Sequence, residues 1–366
     1  MKQPRIHLIA AARPNFMKVA PLYHVLKAER WCEPLIVHTG QHYDANMSDD
    51  FFADLRLPAP DYRLEVGSGT HAGQTAAVMV NYEAICLEQR PDWTIVVGDV
   101  NSTLACALVA AKLCIPLAHL EAGLRSGDRS MPEEINRIVT DRLADLLWTP
   151  SLDGNDNLKA EGVADDRIEF VGNIMIDAFE LQRPRVNGLG MAARFGVEPG
   201  AFGVVTLHRP SNVDSVTKLE PIVEALTEIS RRLPLVFAMH PRTRARLVSF
   251  GLMTRLEGQD RIRLSDPLRY NEFMNLICDA KLVITDSGGI QEETTYLDIP
   301  CLTLRDNTER PITVVQGTNR LVRPDNLADM VERALSGEIK TMHRPDRWDG
   351  KTAGRVAQSL RRHCSG

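Results

Sequence analysis

The sequence predicts an α/β protein made of two Rossmann-like domains that face each other across a cleft. The chain has 366 residues, more than a single hydrophobic core usually serves, so two domains are expected. Short, continuously apolar runs alternate with segments of helical period, a pattern typical of parallel strands covered by helices on both faces. The runs fall into two sets, each long enough for one doubly wound sheet with right-handed crossovers.

The apolar runs define the predicted strands. The first set is Ile6–Ala10, Leu35–Thr39, Thr94–Gly98, Pro116–Leu120, Leu146–Thr149 and Ile168–Val171. The second set is Gly203–Leu207, Leu235–Met239, Ile262–Leu264, Leu282–Thr285 and Cys301–Leu304. Residues 182–199, between the two sets, are rich in Gly, Pro and Arg, so the domain boundary is expected within 172–199.

Composition and charge narrow the classes of function. The net charge is −5, with charges of both signs mixed along the chain, which argues against nucleic acid or an anionic membrane as the main partner. The seven cysteines include no C-x-x-C pair, and most lie in apolar runs, as buried thiols do in a reducing compartment. No stretch is long and apolar enough to span a bilayer, and the first apolar run is interpreted as a strand rather than a signal segment. A cytoplasmic protein is therefore expected.

Ligands of open α/β sheets bind outside the carboxyl ends of the strands, so the residues that follow each strand are the candidate site. Arg13 and Lys18 bracket the start of the first predicted helix, where cations and free N–H groups suit an anionic ligand. Taken alone, these two residues are better explained as solvated charges near a helix end. Asp99 ends the third strand and either caps the next helix or acts as a catalytic carboxylate, and its own segment leaves both interpretations open.

The most polar strand end of the first half follows residues 116–120. Glu121 ends that strand, and Glu133 and Arg137 lie four residues apart on the next predicted helix, so they share a face. A surface ion pair is the alternative for that helix. Carboxylates that converge on a cleft can be held at different pKa values and serve as acid and base, and this favours a catalytic role here.

Two consecutive strands of the second half each end in a histidine. His208 and His240 are each followed within two residues by an arginine. A single histidine is more often structural, but the repetition at neighbouring strand ends favours a binding role. The two histidines lack the local spacing of metal ligands, so no metal is expected.

A glycine-rich turn joins the next strand to a helix. Ser287, Gly288 and Gly289 form this turn; glycine lets a phosphate approach the backbone closely, and the helix start offers free N–H donors. Glu293 lies six residues after Ser287, where a carboxylate can accept hydrogen bonds from ribose hydroxyls. A capped helix with an acidic start would explain this turn alone, but Arg310, after the following strand, adds a cation. The combination predicts a nucleotide-binding half.

Together the motifs resemble the non-hydrolysing UDP-N-acetylglucosamine 2-epimerases. In family order, over nearly the whole chain, they are "RPNFMKVAPL", "TGQHYD", "GDVNSTLACALVAA", "HLEAGLRSGD", "PEEINR", "LHRPSNVD", "HPRT", "DSGGIQEE" and "RDNTERPITVVQGTNRLV". The resemblance implies a glycosyltransferase-B-like fold with no cofactor, assembled as a homodimer. It implies an N-terminal domain over 1–172, a UDP-binding domain over 173–351, and a last helix at about 352–366 that packs back on the first domain.

The resemblance also implies a reaction, the reversible epimerisation at C2 of UDP-N-acetylglucosamine to UDP-N-acetylmannosamine for surface polysaccharide precursors. UDP is eliminated to leave 2-acetamidoglucal and is then added back. Matched residue by residue, the motifs imply the catalytic residues Asp99, Glu121, Glu133 and His208. They imply the UDP-sugar-binding residues Arg13, Lys18, Arg137, His240, Ser287, Gly288, Gly289, Glu293 and Arg310.

Departures from the family pattern leave alternatives open. Tyr43 and Asp44 follow "TGQH" in place of the longer polar residues of members that a second substrate molecule activates, so weak or absent activation is hypothesised. Relatives with the same core motifs epimerise UDP-2,3-diacetamido-glucuronate or 2,6-dideoxy sugars. A UDP-sugar glycosyltransferase has less need of the three carboxylates, and a non-enzymatic UDP-sugar sensor could dispense with them.

Overall fold

The chain folds into two compact α/β units. The computed structural model describes residues 3–11, 13–40, 52, 54–339 and 344–364, and of Arg13 only the backbone. The first unit comprises residues 1–182 together with 346–366, and the second comprises 183–345. The divisions fall after Gln182 and Pro345. Each unit contains one parallel sheet, so the predicted fold class is confirmed.

The first unit has a seven-stranded parallel sheet in the order β3-β2-β1-β4-β5-β6-β7. Its strands are β1 Arg5–Ala10, β2 Glu33–His38, β3 Tyr62–Arg63, β4 Trp93–Val97, β5 Leu117–Leu120, β6 Leu146–Thr149 and β7 Ile168–Phe170. Its first six helices are α1 Arg13–Glu29, α2 His71–Glu88, α3 Asn101–Lys112, α4 Pro132–Leu143, α5 Leu152–Ala160 and α6 Ile174–Val186, which crosses into the second unit. The strand order reverses between β1 and β4, the position at which doubly wound sheets bind ligands.

The second unit has a six-stranded parallel sheet in the order β10-β9-β8-β11-β12-β13. Its strands are β8 Gly203–Thr206, β9 Leu235–Ala238, β10 Ile262–Ser265, β11 Leu282–Thr285, β12 Cys301–Leu304 and β13 Asn319–Val322. Its helices are α7 Met191–Arg194, α8 Pro210–Val213, α9 Val216–Ser230, α10 Pro241–Ser249, α11 Met253–Glu257, α12 Tyr270–Asp279, α13 Gly288–Leu297, α14 Pro311–Val315 and α15 Leu327–Leu335. Here the order reverses between β8 and β11.

Burial explains why the central strands were predictable and two edge strands were not. Every residue of β4 and of β11 is buried, because helices cover both faces of a parallel sheet and both faces must then be apolar. The strands missing from the prediction, β3 and β13, lie at sheet edges. The first has two residues, and the second begins with the polar pair Asn319 and Arg320.

The last helix, α16 Thr352–Cys364, belongs to the first unit. The Asp177 carboxylate accepts hydrogen bonds from the N–H groups of Thr352 and Ala353, at 3.1 and 2.8 Å, and so caps its start. Trp148 donates to the Ser359 hydroxyl at 2.9 Å. None of the helices in the described part of the chain has the length and apolarity to cross a membrane.

Gly172 allows the returning segment to lie against the first unit. Its φ is +96°, and a Cβ there would overlap the Arg347 carbonyl group. Gly172→Ala is expected to destabilise the fold by more than the roughly 1–2 kcal/mol that a left-handed backbone costs an L-residue. Gly162→Ala is the matched control, because its φ is +81° and no other described atom lies within 4 Å of the added Cβ. Urea denaturation measures both, and equal losses would contradict the overlap.

Candidate active site

The first cluster of the candidate site lies where β4 and β5 end. Glu121 follows β5 and is 3% exposed, and the Lys18 ammonium on α1 pairs with its Oε2. Asn15 donates to the Val97 carbonyl oxygen at 2.9 Å and seats α1 against the end of β4. A Cβ on Gly98 would lie 3.3 Å from both Glu121 Oε2 and Lys18 Nζ. A glycine at 98 therefore leaves room for the Lys18–Glu121 ion pair.

Asp99 and Arg137 form a second contact at the same end of the sheet. Arg137 is buried, and its Nε lies 3.4 Å from Asp99 Oδ2. Its Nη1 lies 3.0 Å from Glu134 Oε2. The helical partner of Arg137 is therefore three residues before it, whereas the sequence pattern suggests Glu133, four residues before it. Glu133 is partly buried.

Glu134 is a site residue that the sequence pattern does not distinguish from its neighbour. Its carboxylate accepts hydrogen bonds from the N–H groups of Ser126 and Gly127, each at 3.0 Å, and from the Ser126 hydroxyl. Two backbone donors, one hydroxyl and the Arg137 guanidinium replace the water that burial removes. These bonds fix the loop between β5 and α4 and thereby the position of the first turn of α4.

In the second unit, Asp286 organises the ends of two adjacent strands. It follows β11 and is fully buried, and its carboxylate accepts from the N–H groups of His208 and Arg209, after β8, at 3.1 and 2.9 Å. Asn212 donates to it at 3.1 Å. Burial alone would raise the pKa of Asp286, but His208 and these donors outweigh burial and lower the pKa below its ordinary value. Its place directly after a buried strand is the signal that could have identified it.

The two candidate histidines, His208 and His240, lie close together, with ring centroids 5.8 Å apart. His208 Nδ1 lies 2.8 Å from Asp286 Oδ1, so Nδ1 carries a proton and the partly exposed ring presents Nε2. His240 Nδ1 accepts from the Arg242 N–H at 3.2 Å and caps α10. Burial, with the nearby His208 and Arg242, lowers the pKa of His240. At neutral pH this ring is therefore neutral, with its proton on Nε2.

The two glycines at the start of α13 have different surroundings. A Cβ on Gly288 would lie 2.6 Å from Glu309 Oε1 and 3.0 Å from Arg310 Nη1. A Cβ on Gly289 would meet no described atom within 4 Å. Gly288 is thus required by the packing of Glu309, while the space beside Gly289, at a helix N-terminus, suits an anion.

Arg310 is held by two buried carboxylates. Its Nε lies 2.9 Å from Glu292 Oε2, and its Nη1 lies 2.6 Å from Glu309 Oε1. Arg305 approaches the other oxygen of Glu309 at 2.9 Å. Burial alone would raise the pKa of Glu309, but Arg310 and Arg305 outweigh burial and lower the pKa to about 2. Arg310 is therefore a fixed cation near the start of α13.

Glu293 lies inside α13 and is nearly inaccessible to solvent. The Tyr270 hydroxyl donates to its Oε1 at 2.7 Å. Burial raises the pKa of Glu293 from 4.5 to about 7, with a further rise from Glu292, and the Tyr270 bond offsets part of the shift. The carboxylate is consequently near its midpoint at neutral pH and has one hydroxyl partner already in place.

The predicted site residues divide between the two units. Those of the first unit are Arg13, Lys18, Asp99, Glu121, Glu133 and Arg137, and those of the second are His208, His240, Ser287, Gly288, Gly289, Glu293 and Arg310. Within the units, Lys18 contacts Glu121 and Arg137 contacts Asp99. The Arg13 side chain, and Tyr43 with Asp44, lie outside the described residues.

Comparisons with known proteins agree with these motifs. A family model described as UDP-N-acetylglucosamine 2-epimerase matches residues 24–361. The UDP-N-acetylglucosamine 2-epimerase of Methanocaldococcus jannaschii is 40% identical over 97% of this chain and 98% of its own. The UDP-2,3-diacetamido-2,3-dideoxy-D-glucuronate 2-epimerase of Pseudomonas aeruginosa is 41% identical over 97% of this chain and 99% of its own.

Solved structures agree with the fold. The crystal structure of the M. jannaschii enzyme in complex with UDP-GlcNAc and UDP superposes with a TM-score of 0.87 at 40% identity, over 98% of this chain and 99% of that one. A putative UDP-N-acetylglucosamine 2-epimerase from Listeria monocytogenes gives a TM-score of 0.88 at 30% identity, over 99% of this chain and 97% of that one.

The raised pKa of Glu293 predicts a pH-dependent stability. The folded state favours the protonated carboxyl of Glu293. The resulting contribution to the free energy of unfolding is fully present below the unfolded pKa of about 4.5 and is lost as pH rises through the folded pKa of about 7. The shift corresponds to about 3 kcal/mol. Glu293→Gln should therefore match the parent chain near pH 4 and have a higher Tm near pH 8, as measured by calorimetry.

The adjacent residue supplies a matched control. Glu292 is equally buried but is paired with Arg310, so Glu292→Gln weakens a buried ion pair and should lower the Tm at both pH values. A Glu293→Gln variant that gains no stability near pH 8 would contradict the assignment.

Proposed function

The chain belongs to the UDP-N-acetylglucosamine 2-epimerase family, and on that basis we propose that it catalyses the reversible conversion of UDP-N-acetylglucosamine into UDP-N-acetylmannosamine. It is an isomerase. The observation that carries the proposed mechanism is the position of Asp99 and Glu121 at the ends of the adjacent strands β4 and β5, where two carboxylates can act on one sugar ring. The product would serve the synthesis of surface polysaccharides.

The reaction requires a base, an acid and a means of holding UDP. A carboxylate removes the C2 proton while the C1–O bond to UDP breaks, so that a C1=C2 double bond forms in 2-acetamidoglucal. UDP then adds back to C1 while an acid delivers a proton to the opposite face of C2. In this scheme Asp99, Glu121 and Glu133 are the acid–base candidates, and His208 completes the catalytic set.

The remaining candidates are assigned to the UDP-sugar. The diphosphate is assigned to Arg13, Lys18, His208, Ser287 and Gly289, and Arg137, His240 and Arg310 complete the binding set. Gly288 serves this set indirectly, because it leaves room for Glu309 beside Arg310. The open space beside Gly289, with the fixed Arg310 guanidinium close to the preceding Gly288, supports an anion at the start of α13. Glu293 is assigned to the ribose, whose hydroxyl would replace that of Tyr270 as donor to the carboxylate.

A second substrate is favoured by one relative. The P. aeruginosa protein, named for UDP-2,3-diacetamido-2,3-dideoxy-D-glucuronate, is as similar to this chain as the M. jannaschii one. Both substrates carry a 2-acetamido group, and both reactions invert C2. The alternative function is therefore epimerisation of a UDP-2-acetamido sugar modified at C3 and C6.

Proton NMR of UDP-N-acetylglucosamine in D₂O, with no acceptor added, tests the proposal. We expect UDP-N-acetylmannosamine to appear and deuterium to enter at C2.

Asp99→Asn and Glu121→Gln should each lower turnover by about 10²–10⁴-fold, as loss of a general acid or base does, with UDP binding retained in calorimetry. Glu293→Ala should instead act mainly on UDP binding, which it should weaken, rather than on turnover.

The controls separate the alternatives. Turnover of the diacetamido-glucuronate sugar alone would establish the second substrate. UDP binding with no exchange at C2 for either sugar would contradict epimerisation and point to a glycosyltransferase. Near-normal turnover in both carboxylate variants would remove Asp99 and Glu121 from the mechanism.

We also propose that the chain acts in the cytoplasm as a homodimer. Its seven cysteines are free thiols, as in a reducing compartment. Helix α2 exposes an apolar face at a spacing of three or four residues, formed by Gly73, Ala76, Val80, Ala84 and Leu87. Val80 is 66% exposed and Leu87 is 71% exposed. Such a face on a helix is typical of contact with another helix, here that of a second copy.

The dimer is tested by sedimentation. The parent chain, of 40.8 kDa, should sediment as a dimer, and Leu87→Asp as a folded monomer, because a buried unpaired charge opposes association. Leu152→Asp, on an exposed residue of α5, is the control and should remain dimeric. A monomeric parent chain, or a dimeric Leu87→Asp, would contradict the interface.

A further inference from the structure

A buried ionisable cluster lies directly behind the ends of β4 and β5, outside the residues assigned above. His119 on β5 and Asp141 on α4 are both inaccessible to solvent. His119 Nδ1 lies 2.6 Å from Asp141 Oδ1, and His119 Nε2 lies 2.8 Å from the carbonyl oxygen of Gly98. Each ring nitrogen therefore has one close oxygen neighbour.

Asp141 is ionised. Its second oxygen, Oδ2, accepts from the Gly123 N–H at 3.1 Å and pairs with Arg125 Nη1 at 2.7 Å. Burial alone would raise the pKa of Asp141, but His119 and Arg125 outweigh burial and lower the pKa below its ordinary value. An ionised carboxylate and a backbone carbonyl can only accept hydrogen bonds. Both nitrogens of His119 consequently face acceptors.

The contacts of Asp141 continue to the surface. Arg125 is also bonded twice to Glu161, each time at 2.7 Å, and the Glu161 side chain is 39% exposed. Asp141 is therefore held from one side by the buried ring of His119 and from the other by Arg125.

We propose that the buried ring of His119 positions the two candidate catalytic carboxylates, Asp99 and Glu121, relative to each other. One ring nitrogen contacts the carbonyl of Gly98, in the peptide unit that leads into Asp99. The other contacts Asp141, which in turn accepts from the Gly123 N–H two residues after Glu121. His119 is thus a positioning residue, and its kinetic role rests on the proposed function.

The backbone at Glu121 requires such support. Gly98 and Glu121 have φ values of +69° and +72°. A non-glycine residue in this region costs about 1–3 kcal/mol and persists only where its surroundings hold it. His119 lies two residues before Glu121 on the same strand and is bonded to Gly98 on the adjacent one. One ring therefore joins the two bends from which the candidate carboxylates project.

The positioning is measured by NMR on the full isotope-labelled chain. His119→Gln should shift the backbone amide resonances of Asp99 and Glu121, because the ring joins the two strand ends. His7→Gln is the control: it removes a ring that is fully buried on β1 and bonded to the Tyr82 hydroxyl, and it should leave both resonances in place. Unchanged Asp99 and Glu121 resonances in a folded His119→Gln variant would overturn the proposal.

Kinetics test the positioning role. His119→Gln and Asp141→Asn should each lower kcat about 10²-fold, the loss that a misplacement of about 1 Å produces, with KM changed by less than about threefold. The double variant should lose no more than the stronger single variant, because the two residues act as one unit. His7→Gln, which removes a buried ring bonded to the Tyr82 hydroxyl at 3.2 Å, should lower stability without lowering kcat.

The outcomes separate this role from a general effect on the fold. Normal kcat in a folded His119→Gln or Asp141→Asn variant, or an equal loss of kcat in His7→Gln, would overturn positioning. If the parent chain turns over no UDP-sugar, the proposed function fails, and the NMR spectrum still decides whether His119 positions the two strand ends.

Discussion

Charge buried at the carboxyl ends of two parallel sheets is the constraint on which the rest of the structure depends. The carboxylates concerned are Glu121, Glu134, Asp141, Asp286, Glu292 and Glu309, all less than a tenth exposed. A buried carboxylate costs several kcal/mol unless hydrogen bonds and opposite charge replace its water. Each of them accordingly has a cation or backbone N–H groups within hydrogen-bonding distance, and these partners fix the strand ends and the loops that follow them.

The buried carboxylates are satisfied in two ways. Some are paired with side chains, as in the Lys18–Glu121 pair and in the contacts of Arg310 with Glu292 and Glu309. Asp286 is satisfied chiefly by backbone N–H groups and an amide at the end of β8. A network of side chains can be broken one member at a time and leaves its partner charge unpaired, whereas a backbone donor is lost only on substitution to proline. Conservative changes should therefore disturb the side-chain pairs more than they disturb Asp286.

Sequence patterns were sufficient for the fold class, for eleven strands and for the family, because buried parallel strands are continuously apolar and the motifs are specific. They did not separate Glu133 from Glu134, since the two are neighbours at the start of the same predicted helix. Only the fold of residues 126–127 brings backbone N–H donors to Glu134. They did not reveal Asp286 or Tyr270, whose partners lie 78 and 23 residues away. Contacts between distant segments depend on register and strand order, which local patterns do not encode.

The glycines at the start of α13 show why the distinction between neighbours matters for the proposed function. Sequence assigns both to an approaching diphosphate, yet Gly288 is already covered by Glu309 and Arg310, and Gly289 has open space. Two carboxylates hold Arg310 in place, so its charge is fixed before any ligand arrives. An anion beside Gly289 would then meet free helix N–H groups and an immobile guanidinium without reorganising either. Gly288 contributes by letting Glu309 fix that guanidinium, and Gly289 contributes by leaving the helix end uncovered.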